Sequence, residues 1–361
     1  MKKLLFIFLM ALLLSSWVQV LFRPFGIPPL MGVTQAPEPA SLSPKNLASE
    51  RYQKHISHWA QVEAGFSPSV IRIANSLNYR LFDILNSTVE RGKNNHLFEK
   101  GYIQSFEGQD FIGEKGIAER VDELDEWINH WQIRDKVIVI LAPNKAELRK
   151  EFLPETVVPG YRNHQAMSQA LSNAGIKVLD VHEWFLKLPY DETTTAYGTH
   201  WSMYGAALVA DSLVKMMNKN SGERRYNAEI TRLESSNKPR FTDNDLESLL
   251  NLMYPLPKQN YRYATLEFMA EERPLVLGIG DSYYWSFYDL GMCAQFFHPN
   301  SEYWYYGHEF YDITKTKPLN SQGELLQTPD KADFIIIVAT EPNLIRFPFG
   351  LGLKEKGKNG I

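Results

Sequence analysis

The chain has 361 residues, of which 44% are hydrophobic and 22% are charged, and its formal net charge is −4. These values are ordinary for a globular protein, so they exclude disorder, collagen and coiled coil as overall descriptions. A slightly acidic chain without a block of lysine or arginine offers no basic surface for nucleic acid. The single cysteine, Cys293, excludes an internal disulfide and a cysteine-rich zinc site.

Residues 1–25 differ in composition from the rest of the chain. Two lysines precede residues 4–22, which carry no charge and only three polar interruptions, Ser15, Ser16 and Gln19. A helix of this length is about 28 Å long, enough to cross a hydrocarbon core. The pattern predicts a membrane anchor with everything after residue 25 outside the cytoplasm. A cleaved signal peptide is the alternative, although no small-x-small cleavage site follows the stretch.

The segment after this stretch predicts how the rest of the chain is organised. Residues 23–45 contain six of the twenty prolines together with Gly, Ser and Thr, which is typical of an extended stalk. No internal repeat or low-complexity tract follows. We therefore predict an anchor over 1–25, a proline-rich stalk over 26–50 and one folded domain over 51–361.

Strand and helix patterns alternate through this predicted domain. Short apolar runs bounded by breakers predict four buried strands, at 137–141, 176–179, 275–279 and 334–338, and a weaker fifth near 294–297. Helical patterns are found at 68–86, 117–132, 164–174 and 202–218. The alternation predicts a three-layer α/β/α domain with a mainly parallel sheet of about five strands. Ligands of such sheets bind beyond the carboxyl ends of the strands.

The strongest chemical signal at a strand end is Gly280-Asp281-Ser282, between a predicted strand and a predicted helix start. A serine in this position can present its hydroxyl at the sheet edge, next to backbone N–H groups that suit an oxyanion. It is not the G-x-S-x-G elbow, because Tyr283 and Tyr284 follow. Asp and Ser are also favoured helix caps, so a purely structural role is the alternative.

A candidate base for this serine is His200, which lies in Thr199-His200-Trp201 just before the helical pattern at 202–218. A serine nucleophile needs a base within hydrogen-bonding reach, and histidine is the usual one. Two other strand ends also carry polar residues, Pro143-Asn144-Lys145 and residues 340–343. Ordinary turn chemistry explains each alone, but polar strand ends that converge at one sheet edge favour a site.

Four stretches, taken in order, resemble the membrane-anchored SGNH-hydrolase-like proteins of bacterial polysaccharide O-acetylation, typified by the alginate acetylation proteins. They are Asn95-His96-Leu97-Phe98-Glu99 with the following residues to Gly108, Ile140 to Lys145, Thr199-His200-Trp201-Ser202 with Tyr204-Gly205-Ala206, and Gly280-Asp281-Ser282-Tyr283. Ordinary SGNH hydrolases carry the serine before the histidine. The reverse order here resembles the permuted arrangement of this family.

The resemblance implies an O-acetyltransferase in which His200 activates Ser282, and Ser282 carries the acetyl group to a sugar hydroxyl. The Ser282 backbone N–H would hold the oxyanion, and Asn144, Asp281 and Tyr288 are weaker candidates for oxyanion or substrate binding. The family needs no metal and no resident cofactor.

The resemblance also implies partners and a location. A membrane-bound acyltransferase would supply the acetyl groups, and a polysaccharide outside the cytoplasm would accept them. The expected location is the bacterial inner membrane, crossed once by residues 4–22 in the lipid bilayer, with the catalytic domain on the periplasmic side.

One position departs from the family. The family motif has an aspartate two residues before the histidine, and this chain has Gly198 there. Such an aspartate fixes the imidazole tautomer, and its loss costs about 10⁴ in kcat in serine proteases. Asp191, Glu192 or a backbone carbonyl are the candidate substitutes. Three hypotheses therefore stay open: an acyltransferase, an esterase that uses the same residues, and a non-catalytic protein that binds glycan or a partner.

Overall fold

The computed structural model describes residues 2–33, 43–62, 64–221, 225–315, 318–319 and 323–352. The α-helices are α1 (Lys2–Phe22), α2 (Pro44–Leu47), α3 (Glu50–Val62), α4 (Ser67–Leu77), α5 (Lys100–Phe106), α6 (Gly113–Trp131), α7 (Lys145–Leu148), α8 (Asn163–Asn173), α9 (Val181–Phe185), α10 (Tyr190–Thr193), α11 (Met203–Ser221), α12 (Asp245–Leu249), α13 (Trp285–Asp289), α14 (Met292–Gln295) and α15 (Glu324–Gln327). The strands are β1 (Val89–Arg91), β2 (Leu97–Glu99), β3 (Val137–Ala142), β4 (Lys177–Asp180), β5 (Tyr226–Ser236), β6 (Tyr261–Ala270), β7 (Val276–Gly280), β8 (Glu302–Tyr305), β9 (Glu309–Asp312), β10 (Pro318–Leu319) and β11 (Phe334–Thr340).

The chain divides into two compact units, one of residues 1–89 with 246–257 and one of residues 90–245 with 258–361. In the first unit, Asn75 Nδ2 donates to the Leu250 carbonyl at 3.0 Å, and Asn251 Nδ2 donates to the Met31 carbonyl at 2.9 Å. These bonds hold residues 246–257 against the N-terminal part of the chain. The predicted boundaries at 25 and 50 stay predictions.

The second unit is built on a seven-stranded sheet in the order β10-β9-β8-β7-β11-β3-β4. Strands β8, β7, β11, β3 and β4 run parallel, with Ile337 opposite both Val139 and Ile279. Alternate residues face opposite sides. Ile138 and Ile140 pack in one core with α11, whereas Val137 and Val139 pack in a second core with α6 and α8. Both faces of the sheet are thus covered, and its carboxyl ends stay accessible to loops.

The structure corrects the predicted fold class at one edge of this sheet. The sheet is mixed and has seven strands, because β9 pairs antiparallel with β8 and β10 pairs antiparallel with β9. A short connection with Tyr306 at φ 50° and Gly307 at φ 76° joins β8 to β9, and a tight turn of this kind can only join antiparallel strands. The weak fifth strand predicted near 294–297 is also wrong, since α14 lies there.

The predicted membrane-spanning helix is a second correction. Residues 2–22 form the helix α1, yet within the parts of the chain that the structure describes no helix has the length and hydropathy needed to cross a membrane. Ser15, Ser16 and Gln19 interrupt the apolar run of α1. The Gln19 side chain turns back to the backbone, donating to the Phe25 carbonyl at 2.7 Å and accepting from the Phe25 N–H at 3.2 Å.

Candidate active site

Ser282 lies at the carboxyl end of β7, in the interior of the parallel part of the sheet. It opens a 3₁₀ turn, Ser282–Tyr284, that leads into α13. Gly280 has a φ of +145°, and a Cβ there would lie 2.1 Å from the carbonyl oxygen of Val338 on the neighbouring strand. Only glycine fits this close approach, so the residue that precedes the turn is dictated by the backbone.

His200 lies next to Ser282, as the sequence predicts. Its Nε2 is 2.9 Å from Ser282 Oγ, and its ring packs against the Tyr283 ring at a centroid distance of 4.6 Å. The adjacent Trp201 is buried and donates through Nε1 to Ser286 Oγ at 2.8 Å. Because Ser286 lies on α13, this bond ties the histidine segment, residues 196–201, to the helix that follows Ser282.

The far nitrogen of His200 has a partner that the sequence did not reveal, Asp245. His200 Nδ1 lies 2.6 Å from Asp245 Oδ2, and Asp245 Oδ1 accepts the Thr199 N–H at 2.8 Å. This carboxylate comes from the start of α12, distant in sequence from the histidine motif. Ser282, His200 and Asp245 thus form the hydrogen-bonded series that a serine nucleophile, its base and the base's orienting acid require.

Of the two acids proposed from the sequence as substitutes, the structure describes the side chain of Glu192 alone. Glu192 forms an ion pair with Arg262 instead, and the side chain of Asp191 lies outside the described residues. The signal that could have pointed to Asp245 is weak. Asp245 is one of two acidic residues in the polar stretch Thr242-Asp243-Asn244-Asp245, just before a helical pattern.

Gly198 explains why the acid comes from elsewhere. A Cβ at position 198 would lie 2.6 Å from the Thr242 carbonyl oxygen and 3.0 Å from that of Asp243. Glycine therefore lets the segment that carries Asp245 pack directly on the histidine segment. Thr195 Oγ1 reinforces the contact, since it donates to the Asp243 carbonyl at 2.6 Å and accepts the Gly198 N–H at 3.0 Å.

The electrostatics of the site favour a protonated His200. Burial is the largest single influence and opposes the charged imidazolium, but the charge and hydrogen bond of Asp245 together with the charges of Asp281 and Glu99 outweigh it, so the pKa of His200 is raised. Glu99 accepts a hydrogen bond from Thr199 Oγ1 at 3.3 Å. Burial and the nearby Asp245 raise the pKa of Glu99. The imidazolium formed when His200 takes a proton is therefore well stabilised.

The contacts of the three weaker candidates are internal. Asn144 Nδ2 donates to the Tyr102 carbonyl at 3.1 Å and to Glu341 at 2.8 Å, so both amide hydrogens are engaged away from Ser282. Asp281 is fully buried and accepts from Tyr283, Thr340 and Asn343. Tyr288 donates to the Asp312 carbonyl at 2.8 Å. These contacts support structural roles, and the binding roles stay predictions.

Tyr306 is a residue near Ser282 that the sequence did not indicate. Its hydroxyl lies close enough to the Ser282 side chain for that side chain to lower the pKa of Tyr306, and it accepts from Asn343 Nδ2 at 3.4 Å. Burial, followed by the Asp281 carboxylate, raises the pKa of Tyr306 to about 12. The Tyr306 backbone has a φ of 50°, a strained value for tyrosine, and its N–H donates to the Gly280 carbonyl at 2.8 Å. The hydroxyl is thus a neutral donor held beside Ser282.

Metal ligation has no counterpart in this part of the molecule. Over the residues that the structure describes, no three histidine, cysteine, aspartate or glutamate side chains form a group that could hold a metal ion.

A family model described as the SGNH hydrolase-like domain of the acetyltransferase AlgX matches residues 89–272 of the chain. The chain belongs to this family. The matched range includes His200 and Asp245 and ends before Ser282. No curated protein sequence matches the chain.

Three solved structures are similar to this member of the AlgX family. The O-acetyltransferase domain of Pseudomonas putida AlgJ is 16% identical with a TM-score of 0.46, and the match covers 71% of this chain and 92% of that one. Pseudomonas aeruginosa AlgX is 13% identical with a TM-score of 0.43, covering 71% and 66%. Bacillus cereus PatB1 is 11% identical with a TM-score of 0.45, covering 66% and 93%.

Proposed function

We propose that this chain is an O-acetyltransferase that acetylates a polysaccharide outside the cytoplasm through an acetyl-Ser282 intermediate. The observation that carries the proposal is the series Ser282–His200–Asp245, with distances of 2.9 Å and 2.6 Å between the bonded atoms. Membership of an acetyltransferase family supports the acyl group and the class of acceptor.

In the first half of the reaction, His200 Nε2 takes the Ser282 hydroxyl proton while Oγ attacks the carbonyl carbon of the acetyl donor. Asp245 holds the Nδ1–H tautomer and stabilises the imidazolium. The proton then passes from His200 to the leaving group, and acetyl-Ser282 remains. In the second half a sugar hydroxyl gives its proton to His200 and attacks the carbonyl carbon of acetyl-Ser282. The bond from that carbon to Ser282 Oγ then breaks, His200 returns the proton to Oγ, and the acetylated sugar is released.

Two donors suit the oxyanion of both tetrahedral intermediates. Ser282 opens a helical turn, so its backbone N–H has no acceptor within that turn. The Tyr306 hydroxyl reaches the same side chain. We therefore propose the Ser282 N–H and the Tyr306 hydroxyl as the oxyanion donors. Asn144, the second donor expected from the sequence, has both amide hydrogens engaged elsewhere.

The acetyl group must come from a donor that works outside the cytoplasm. We propose that a membrane-bound acyltransferase partner supplies it, as the resemblance to the alginate acetylation proteins implies. This partner could be tested separately, because transfer from a small activated ester does not require it.

The test is acetyl transfer from an activated acetyl ester to oligosaccharides. We expect acetylated sugar by mass spectrometry with wild type and none above background with Ser282→Ala. Ser172→Ala, a change of an exposed serine on α8, should match wild type. Acetate release with no acetylated sugar would favour the esterase, and no Ser282-dependent product of either kind would contradict catalysis.

A further inference from the structure

Lys145, the first residue of α7, is a buried lysine beneath the histidine segment. Its side chain is 1% exposed. Lys145 Nζ donates to the Leu97 carbonyl at 2.6 Å, to the Ala196 carbonyl at 3.1 Å and to the Gly198 carbonyl. An ammonium group has three hydrogens, so these three carbonyls satisfy all of its donors.

The position of these acceptors relates Lys145 to the catalytic histidine. Ala196 and Gly198 lie in the four residues before His200, and Leu97 lies in β2, two residues before Glu99. One side chain thus joins the end of β3, strand β2 and the histidine segment. Gly198 is also the point at which the segment carrying Asp245 packs closely.

Packing alone does not account for a lysine at this buried position, because burial of its charge is unfavourable. Burying an ammonium group costs several kcal/mol unless it is well bonded, and the three carbonyls are neutral. An apolar side chain of similar length would fill the same volume without that cost. Retaining the charge makes sense if the directional bonds to the histidine segment are needed.

The charged and titratable groups that face Lys145 do not fully offset its burial. Asp245 favours the ammonium form, whereas Arg149 opposes it, and Lys145 itself lowers the pKa of His96. The Phe98 ring centroid lies 5.3 Å from Nζ. Burial lowers the pKa of Lys145 to about 7. A neutral amine has only two hydrogens, so deprotonation must release one of the three carbonyls.

We infer that the Lys145 ammonium is a positioning residue that holds residues 196–198, and with them the His200 ring, in register with Ser282, so that its deprotonation slows the reaction at alkaline pH. The inference rests on the proposed function, because it concerns the reactivity of the same serine. The activated state then requires a neutral His200 and a protonated Lys145 at the same time.

The experiment compares wild type, Lys145→Met and Lys215→Met. Methionine is unbranched like lysine, ends one atom short of Nζ and has no donor, and Lys215 is an exposed lysine that pairs with Asp211 on α11. The rate at which a sulfonyl fluoride labels Ser282 is followed by intact mass from about pH 6 to about pH 10, within the range where histidine and lysine pKa values fall. Labelling reports the nucleophile alone and needs neither acceptor nor acyltransferase.

For wild type and Lys215→Met we expect a bell-shaped pH profile. For Lys145→Met we expect a rate about 100-fold lower at the optimum, as for a misplacement of about 1 Å, and no alkaline decline. A role limited to folding would lower the rate at every pH and leave the shape unchanged. An alkaline decline that persists in Lys145→Met would overturn the inference.

A measurement on wild type keeps the test decisive if Lys145→Met does not fold. Nitrogen NMR of protein labelled at lysine Nζ would follow the buried ammonium, which exchanges slowly. We expect its titration to coincide with the alkaline decline in labelling, and an ammonium that stays protonated through that decline would refute the inference. If Ser282 of folded wild type is not labelled at any pH, the proposed function fails as well. If Ser282 is labelled and the pH profile of Lys145→Met has the same shape as that of wild type, only the role of Lys145 is refuted.

Discussion

At the scale of single residues, the main finding is that Asp245 takes the place of an acid that the histidine motif lacks. Asp245→Asn should keep the segment in place, because the amide oxygen can still accept the Thr199 N–H. It removes the charge and can present a donor to Nδ1, which favours the wrong tautomer. We expect kcat to fall by about 10³ to 10⁴, measured as acetyl transfer or Ser282 labelling.

Glu192→Gln is the matched control for this prediction, because Glu192 is the acid nearest in sequence that could have served. Its carboxylate pairs with Arg262 at a partly exposed site, so the change should cost at most about 1 kcal/mol of stability. Its kcat should stay within about twofold of wild type, which is roughly 0.4 kcal/mol of activation energy. Equal losses in the two variants would show that Asp245 is not the orienting acid.

Gly198→Asp restores the family pattern, yet here it should be harmful. The new Cβ would lie 2.6 Å from one carbonyl oxygen and 3.0 Å from another. The segment carrying Asp245 must therefore move, at a cost of about 1 to 3 kcal/mol. We expect lower activity and a lower midpoint of urea unfolding, and Gly198→Ala should show both effects. A gain of activity in Gly198→Asp would contradict this account of the glycine.

Tyr306→Phe tests the second oxyanion donor. The change removes one hydroxyl and keeps the ring, which packs against Phe349 and lies below the Arg346 guanidinium. We expect kcat to fall about 10²-fold with little change in stability, as for the loss of one oxyanion donor. Tyr311→Phe, a partly buried tyrosine that donates to Glu309, is the control and should leave kcat unchanged. Unchanged turnover in Tyr306→Phe would remove Tyr306 from the mechanism.

At the scale of elements, Asp281 fastens the end of β7 to the end of β11. Asp281 Oδ2 accepts from Thr340 N–H and Oγ1, both at 2.7 Å, and from Asn343 Nδ2 at 3.0 Å. Asp281→Asn can place an amide donor against these donors. We expect a loss of about 1 to 3 kcal/mol in the free energy of unfolding, with an unchanged dependence on urea. A variant as stable as wild type would show that this connection is dispensable.

The sequence predicted the strands that carry short apolar runs. The strands at 137–141, 275–279 and 334–338 are confirmed as β3, β7 and β11, which are buried along their whole length and whose continuous apolar runs are distinctive. The strand at 176–179 is confirmed as β4, which is only partly buried at the edge of the sheet. The hairpin of β5 and β6 was missed, since one face is exposed and polar residues interrupt the apolar ones in both strands. Strand β8 was missed because its four residues form no such run.

The same difference separates the predicted and unpredicted parts of the site. Ser282 and His200 lie in local motifs at a strand end and a helix start, so short sequence patterns indicate them. Asp245 is brought to His200 by tertiary packing through Gly198, which leaves no spacing signal in the sequence. Tyr306 reaches Ser282 only because the turn between β8 and β9 adopts a left-handed conformation.

At the scale of the whole molecule, protonation of His200 links stability and activity with opposite signs. The folded pKa of His200 is raised above its ordinary value of 6.5. The pair with Asp245 therefore stabilises the fold fully below the unfolded pKa, and this contribution is lost as the pH rises through the folded pKa. The proposed mechanism needs the neutral imidazole, so we expect activity to increase over the same window. The site is at its most stable where it is least active.

Comparing the pH dependence of stability of wild type and Asp245→Asn isolates the effect of the His200–Asp245 pair. Other titrating groups, such as Asp243 with a pKa raised by burial to about 7, contribute equally to both proteins and cancel in the difference. We expect the difference in unfolding free energy to be larger at about pH 5.5 than at about pH 9, measured by urea unfolding. Ser282→Ala, which keeps the His200–Asp245 pair, should retain the wild-type pH dependence of stability while losing activity. A difference that is constant with pH, or larger at pH 9, would mean that Asp245 does not stabilise the imidazolium. If Asp245 raises the pKa of His200, the acid limb of the Ser282 labelling profile should move to lower pH in Asp245→Asn. Unfolding free energy and labelling rate thus test the His200–Asp245 interaction independently.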